Sequence, residues 1–176
     1  MNAPAPPAAA DVLHGAGIIS AVKAAGVTYV LSVPDLHTAS GLLTPITSDK
    51  DLTLVRTCKE DECFGISAGL SYGNKRALIL IQYTGFLYSM NAIRGVAVEH
   101  KQPMVMMIGL LGKEPGVPPQ QSRRYGSRII EPILDVMGIE RIYIDLDGDV
   151  AKITPAINKA YETSTPLAFL IGRRPI

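Results

Sequence analysis

The sequence predicts an α/β protein of three layers, with a doubly wound, mostly parallel six-stranded sheet between helices on both faces. Short apolar runs of strand type alternate along the chain with segments of helical periodicity, the pattern of a parallel sheet with crossover helices. Two of the strand-like runs, 76–82 (RALILIQ) and 103–109 (PMVMMIG), are apolar without strict alternation. Such runs are typical of central parallel strands that are buried on both faces.

Each predicted strand is a short apolar run that ends at turn residues. The first one closes at Pro34, because proline has no N–H to donate to a sheet ladder. The six predicted strands are 27–33, 52–56, 76–82, 103–109, 141–144 and 166–172.

The predicted helices carry apolar residues at helical spacing, with start and stop signals at their ends. Gly26 stops the first helix, Asp35 caps the second and Gly73 ends the third. A long loop, 110–126, carries the proline- and glycine-rich stretch GKEPGVPP, and loops of this length inside a domain are usually functional or mobile. The six predicted helices are 11–25, 36–47, 60–72, 87–99, 129–137 and 150–163.

The length of 176 residues suits one domain with one sizeable core. Residues 1–10 are rich in alanine and proline and lack the basic start of a signal peptide, so we predict a disordered lead-in followed by a single domain over 11–176. The longest apolar runs are too short to span a bilayer. We therefore expect a cytoplasmic protein without a membrane segment.

Composition excludes some partners and suggests another. The 17 basic and 16 acidic residues give a net charge of +1, which does not indicate a nucleic-acid binder. A mean hydropathy of +0.21 is high for a small chain, so we expect a second chain to cover part of its apolar surface. Cys58 and Cys63 are not expected to form a disulfide or a zinc site.

The usual nucleotide and hydrolase motifs are missing. No G-x-G-x-x-G, G-x-x-x-x-G-K-[ST] or G-x-S-x-G occurs, which argues against a Rossmann dehydrogenase, a P-loop enzyme and an α/β-hydrolase. His14, His37 and His100 show no metal-ligand spacing, and no metal site is predicted on this chain. His14 and His100 are expected on the surface, whereas His37 follows the first strand and is a candidate site residue.

The third predicted helix opens with three acids, Glu60, Asp61 and Glu62, which favour a helix start through the helix dipole. It continues with the small residues of 65–69 (GISAG). Glycine inside a helix lowers its stability unless another backbone packs close. Close contact with another helix or with a second subunit would account for this composition.

Four sequence motifs carry a resemblance to a known family. They are Glu60 followed by Ala68-Gly69, the turn Val33-Pro34-Asp35, the turn Gln82-Tyr83-Thr84-Gly85, and the loop 109–117 (GLLGKEPGV). Together, over about residues 15–171, the chain resembles the pyrimidine-binding domain of thiamine-diphosphate enzymes. It looks most like the decarboxylases of sulfopyruvate and phosphonopyruvate.

By this resemblance Glu60 is the catalytic acid that binds N1′ of the cofactor's aminopyrimidine and favours its imino tautomer, and Asp61 or Glu62 are the alternatives. His37 is a candidate proton donor or substrate contact. The resemblance implies a cofactor-binding set of Glu60, Pro34, Asp35, Gln82, Thr84 and Gly85.

The substrate contacts implied are Tyr83, Phe86 and Arg123. The aromatic residues stand where the family has smaller ones, and core packing is the alternative for Phe86. Arg123, together with Arg124 and Arg128, would meet a second anionic group on the substrate, and solvent exposure or contact with a partner is the alternative for these arginines.

The diphosphate half of such an enzyme is expected on another chain. Its Gly-Asp-Gly and asparagine signature, which holds Mg²⁺, has no counterpart here beyond Asp147-Gly148-Asp149, which we interpret as a turn that caps the last helix. The resemblance implies a β subunit that binds the thiamine diphosphate and Mg²⁺ and an assembly of at least α2β2. We expect this chain to be the α subunit of a two-subunit decarboxylase of a small 2-oxo acid. A carboligase of the acyloin or acetolactate type, a non-catalytic binding module on this fold, and an enzyme that acts alone are the alternatives.

Overall fold

One six-stranded sheet forms the centre of the computed structural model, which describes residues 12–176. Its strands lie in the order β2-β1-β3-β4-β6-β5, and every neighbouring pair is parallel. This confirms the predicted fold class, with a sheet that is parallel throughout. The strands are β1 (Val27–Ser32), β2 (Thr53–Arg56), β3 (Arg76–Gln82), β4 (Val105–Gly109), β5 (Glu140–Tyr143) and β6 (Leu167–Ile171).

The helices cover both faces of the sheet. α2 has a π-helical first part, Ala39–Leu43, and an α-helical second part, Thr44–Ser48; α5 is a short α-helical turn, Met90–Ala92, that continues as a π-helix over Ile93–Glu99. Two 3-10 segments, Pro119–Gln121 and Asp147–Lys152, lie in connections. The remaining helices are α1 (Gly15–Ala24), α3 (Glu60–Tyr72), α4 (Tyr83–Tyr88), α6 (Tyr125–Met137) and α7 (Ile153–Thr163).

Two apolar clusters, one on each face of the sheet, form the core. The first joins α1, α2 and α7 to the sheet, and the second joins α3, α4, α5 and α6 to the opposite face. Alternate residues of β3, such as Leu78 and Ile79, enter different clusters because successive side chains of a strand point to opposite faces. The central strands β4 and β6 are buried along their whole length, whereas the edge strands β2 and β5 are partly exposed.

Most predicted element boundaries agree with the structure, and α3 and β3 agree at both ends. Several helix starts were wrong. α1 begins at Gly15 rather than at 11, because the His14 N–H is bonded to the Asp147 carboxylate. α4 begins at Tyr83, directly after β3, rather than at 87, and α6 begins at Tyr125 rather than at 129. α2 also begins later than predicted, because residues 36–38 form a turn around Asp35.

The direction of chain crossing changes between β1 and β3. From β1 the chain moves to β2 on one side, and then to β3 on the other. In doubly wound sheets ligands bind at the carboxyl ends of the strands near such a switch point. The predicted lead-in, 1–10, lies outside the described residues. Within residues 12–176 no helix combines the length and the apolar character that a bilayer span requires.

Candidate functional site

The turns that follow β1 and β3 and the start of α3 meet at the switch point. β1 leads into Val33-Pro34-Asp35, β3 leads into Tyr83, and the chain after β2 enters α3 at Glu60. Three of the four sequence motifs therefore lie at one edge of the sheet, and the fourth, 109–117, starts at the end of the next strand, β4.

Glu60 lies directly against the turn after β3. A Cβ added to Gly85 would be 2.4 Å from Cγ of Glu60 and 2.7 Å from its Oε1, so only glycine leaves room for this carboxylate. The side chain is half-buried, and it accepts no hydrogen bond and forms no ion pair within residues 12–176. Glu60 is thus held by packing, with both carboxylate oxygens available.

The other two acids of the α3 start have different surroundings. Oε2 of Glu62 accepts the Cys58 N–H at 3.1 Å, which satisfies a backbone donor in front of the helix. Oδ1 of Asp61 is enclosed and has no hydrogen-bond partner in the described part of the chain. Among the three acids, Glu60 is the one whose carboxylate contacts the Gly85 turn.

The two glycines inside α3 face open space within the described chain. A Cβ added at Gly65 or at Gly69 would meet no heavy atom within 4 Å. The close approach that the composition predicts is therefore not made by another helix between residues 12 and 176.

Asp35 shapes the turn after β1. Its Oδ1 accepts the N–H groups of His37 at 2.6 Å and Thr38 at 2.9 Å, and its Oδ2 accepts the Thr38 hydroxyl at 2.5 Å. These bonds resemble those of a helix cap and leave Pro34 and Leu36 exposed at the turn. The Asp35 carboxylate is therefore occupied by its own turn.

His37 is buried beneath this turn. Its Nε2 donates to the Ile171 carbonyl oxygen at 2.9 Å, which fixes the tautomer, and its ring lies over Gly109 at the end of β4. Burial lowers the pKa of His37, against the nearby Asp35 charge, which raises it. The imidazole is neutral at pH 7 and links the turn after β1 to β6. Its predicted role as a proton donor or substrate contact stays a prediction.

The turn after β3 divides its side chains between surface and core. The Gln82 Nε2 donates to the Thr84 hydroxyl at 3.0 Å, and Thr84 is exposed. The Tyr83 ring packs on Gly126, where an added Cβ would be 2.2 Å from Cε2 of the ring. Phe86 is 0% exposed and belongs to the second apolar cluster. Its side chain lies in the core, so the predicted contact with substrate would require this packing to open.

The 110–126 loop is closed upon itself. Glu114 accepts the Ser122 hydroxyl at 2.8 Å and the Arg123 N–H at 3.2 Å, and the bond from Ser122 lowers the pKa of Glu114. The Arg128 guanidinium donates to the Ser122 carbonyl at 2.9 Å. The Arg123 side chain is 94% exposed, with its Nε 4.0 Å from Glu114. Its contact with substrate stays a prediction.

An ion pair between a buried lysine and a partly exposed aspartate, at the far end of this edge, was not predicted from the sequence. The Lys113 ammonium is enclosed, 3.6 Å from Oδ2 of Asp145, and Oδ1 of Asp145 accepts the Gly172 N–H at 2.9 Å. The pair ties the long loop to the ends of β5 and β6. The position of Asp145 just after the predicted fifth strand was the one available signal, because polar residues at strand ends meet at the same edge.

Asp147 and Asp149 have structural partners. Asp147 accepts the backbone N–H of His14 at 2.7 Å and lies 2.6 Å from its ring nitrogen, and Asp149 accepts the N–H groups of Asp145 and Leu146, both at 3.0 Å. Asp149 thus caps the start of a 3-10 segment that leads into α7, whereas the sequence predicted that this turn caps the last helix itself. The described chain contains no cluster of three or more His, Cys, Asp or Glu side chains suited to a metal ion.

The fold and the site define a doubly wound α/β protein with a carboxylate presented at the switch point of its sheet. No protein-family model matches the chain. The sulfopyruvate decarboxylase subunit alpha of Methanocaldococcus jannaschii is 30% identical to it over 154 residues, which are 87% of this chain and 89% of that protein.

Two further proteins of the same name show shorter matches. That of Methanococcus maripaludis is 28% identical over 95 residues, 54% of this chain and 56% of that protein. That of Methanothermobacter thermautotrophicus is 27% identical over 97 residues, 55% of this chain and 58% of that protein. The chain belongs to the family of sulfopyruvate decarboxylase alpha subunits.

Proposed function

We propose that this chain is the α subunit of a two-subunit, thiamine-diphosphate-dependent decarboxylase of a small 2-oxo acid of the sulfopyruvate type. Family membership supports a decarboxylase subunit, and the name of the relatives supports a second subunit. The cofactor and the role of Glu60 are supported by the geometry at the switch point.

The observation that carries the proposal is the position of the Glu60 carboxylate. It lies on Gly85, in a space that any larger residue at 85 would fill, and it has no partner in the described chain. A carboxylate that is half-buried and fixed in this way fits the ring nitrogen N1′ of an aminopyrimidine, which needs one oxygen acceptor or a shared proton. Thr84 and Pro34, both exposed, flank the same edge and would contact the ring.

In this proposal the protein supplies position and proton handling. Thiamine diphosphate, when bound, supplies the carbanion chemistry that removes CO₂ from a 2-oxo acid. Glu60 would hold the proton that it shares with the aminopyrimidine ring, and Gly85 leaves the space in which this carboxylate is positioned. His37 keeps the turn after β1 in place through its bond to Ile171, and proton donation by its Nε2–H would require breaking that bond.

We assign the diphosphate and Mg²⁺ to the second subunit, in an assembly of at least α2β2. Large apolar side chains at the same edge suggest where that subunit covers the chain: Leu36 is 73% exposed, Tyr88 57% and Tyr125 67%. Exposed apolar groups clustered around a site are typical of a surface that another protein covers.

Reconstitution tests this proposal. The chain is co-produced with a candidate β subunit, chosen by its Gly-Asp-Gly and asparagine motif, and release of CO₂ from sulfopyruvate is measured with and without thiamine diphosphate and Mg²⁺. We expect activity only with both chains and both cofactors, and an aldehyde as the product. An acyloin product would indicate a carboligase instead. A complex that neither binds the cofactor nor releases CO₂ from any 2-oxo acid would contradict the proposal.

A further inference from the structure

The acids at the carboxyl edge of the sheet are mostly engaged inside the chain. Asp35 binds its own turn, Glu62 binds the N–H of Cys58, Glu114 closes the long loop, and Asp145 is shared by Lys113 and Gly172. Their negative charges are therefore already committed to donors in the chain.

Several cations at this edge are also engaged. Lys113 is paired with Asp145, Arg128 donates to backbone carbonyls, and Arg123 is directed into solvent near Glu114. Arg124 lies against the backbone of Gly112, where an added Cβ would be 2.6 Å from its Nε.

Arg173 and Arg174, which follow β6, differ from these cations. Neither forms an ion pair or a side-chain hydrogen bond with any residue from 12 to 176. Nε of Arg173 is enclosed by protein and has no acceptor in the described chain. An enclosed donor without an acceptor costs free energy, so it is expected where a ligand supplies the acceptor.

The two arginines follow a strand that ends at the same carboxyl edge of the sheet as the turn that holds Glu60. They come two and three residues after Ile171, whose carbonyl accepts the His37 ring N–H. Along this edge β6 is two strand spacings, about 10 Å, from β3, which leads into Gly85. The tail after the arginines packs on the α1–α2 face, with Pro175 against Gly41, whereas Glu60 lies on the α3 face. Arg56 and Lys59 are also without ion pairs among the described residues, but they lie at the end of the edge strand β2. Arg173 and Arg174 therefore follow an inner strand, β6, whereas Arg56 and Lys59 follow the outer strand β2.

We propose that Arg173 and Arg174 bind a tetrahedral anionic group on C3 of the 2-oxo acid and so select dianionic substrates over pyruvate. The inference rests on the proposed function and deepens it. A guanidinium binds the oxygens of a sulfonate or a phosphonate through parallel N–H donors, which gives both affinity and orientation. The sequence had suggested Arg123 for this role.

Single substitutions in the reconstituted complex test the inference. Arg173→Met and Arg174→Met keep an unbranched stem and remove the guanidinium with its charge. Lys75→Met is the control, because Lys75 lies just before β3, at the amino ends of the strands. For sulfopyruvate and phosphonopyruvate we expect KM to rise about 10- to 100-fold in each arginine variant, from the loss of a charged hydrogen bond. The kcat/KM for pyruvate should change less than about threefold.

Other outcomes would overturn the inference. An equal loss with pyruvate would show that the arginines support the structure of the site, and a complex that fails to assemble in size-exclusion chromatography would show that they contact the partner. A large effect of Arg123→Met with none from the two arginines would restore the original assignment. Binding of 3-sulfopropanoate, an unreactive dianion, is measured by calorimetry on wild type and both variants. Binding that depends on the arginines in a complex without decarboxylase activity would refute the proposed function and keep the anion site.

Discussion

Replacing Gly85 by alanine tests the geometry that carries the proposed function. The new Cβ would be 2.4 Å from Cγ of Glu60 and 2.7 Å from its carboxyl carbon. Ordinary carbon contacts lie at about 3.5–4.0 Å, so the Glu60 side chain must move by about 1 Å or more. The backbone at 85 is helical, and the obstacle is the flexible side chain of Glu60, so the strain is relieved at the carboxylate.

The free-energy terms predict a large effect on activity and a small one on stability. An off-rotamer Glu60 costs about 0.5–1.5 kcal/mol. Alanine stabilises a helix by about 0.8–1.0 kcal/mol relative to glycine, which offsets this cost. The free energy of unfolding should therefore change by less than about 1 kcal/mol. A displacement of 1 Å in a group that handles a proton can lower kcat by about 100-fold.

The assay is decarboxylation by the reconstituted complex at saturating thiamine diphosphate, together with the thermal midpoint of the variant. Gly95→Ala is the matched control, because Gly95 is also in a helical segment and an added Cβ there meets no atom within 4 Å. A Gly85→Ala complex with wild-type kcat would refute the argument that the position of Glu60 against this turn matters.

Three further predictions concern other sites. As the pH falls from about 7.5 to about 5.5, wild type should lose more stability than His37→Gln, because burial lowers the pKa of His37 and the unfolded chain therefore takes up the proton first. Denaturant titrations at each pH measure the free energy of unfolding. The same pH dependence in both proteins would contradict this prediction. Iodoacetamide should label exposed Cys58 in the folded chain and spare Cys63, whose thiol pKa is raised by burial; mass spectrometry of labelled peptides decides, and equal labelling would be the contrary result. Gly15→Ala places a Cβ 1.7 Å from the carbonyl oxygen of Gly41, a backbone atom that cannot rotate away, so the free energy of unfolding should fall by about 3 kcal/mol. An unchanged thermal midpoint would contradict this prediction.

The parts of the fold that local sequence controls were predictable. α3 starts at an acidic turn and stops at Gly73, and β3 is a continuous apolar run, so both were predicted at their observed ends. The start of α4 was not predictable, because Tyr83-Thr84-Gly85 has the local pattern of a turn. It is helical in the folded chain, where Gly85 contacts Glu60 and Tyr83 contacts Gly126. These contacts join residues that are far apart in sequence.

In the candidate site, too, the features set by local sequence were predictable and the contacts between distant residues were not. The rule that ligands bind at strand ends is sufficient to predict from the sequence that Glu60 and the turns after β1 and β3 lie at one edge of the sheet. It could not show that the His37 ring is bonded to the carbonyl of Ile171, 134 residues away. Nor could it show that Phe86 is in the core, since an aromatic residue after a strand end is compatible with both surface and interior.

The most direct test of the central claim compares Glu60→Gln with Glu62→Gln in the reconstituted complex. Both changes remove one negative charge from the first turn of α3, and only Glu60 lies on the Gly85 turn, whereas Glu62 binds the N–H of Cys58. With intact assembly and bound cofactor, the account predicts that Glu60→Gln lowers kcat by about 100-fold or more, while Glu62→Gln keeps kcat within a few-fold of wild type. Wild-type turnover by the Glu60→Gln complex, or a selective loss in Glu62→Gln, would contradict the claim that Glu60 is the acid that activates the cofactor.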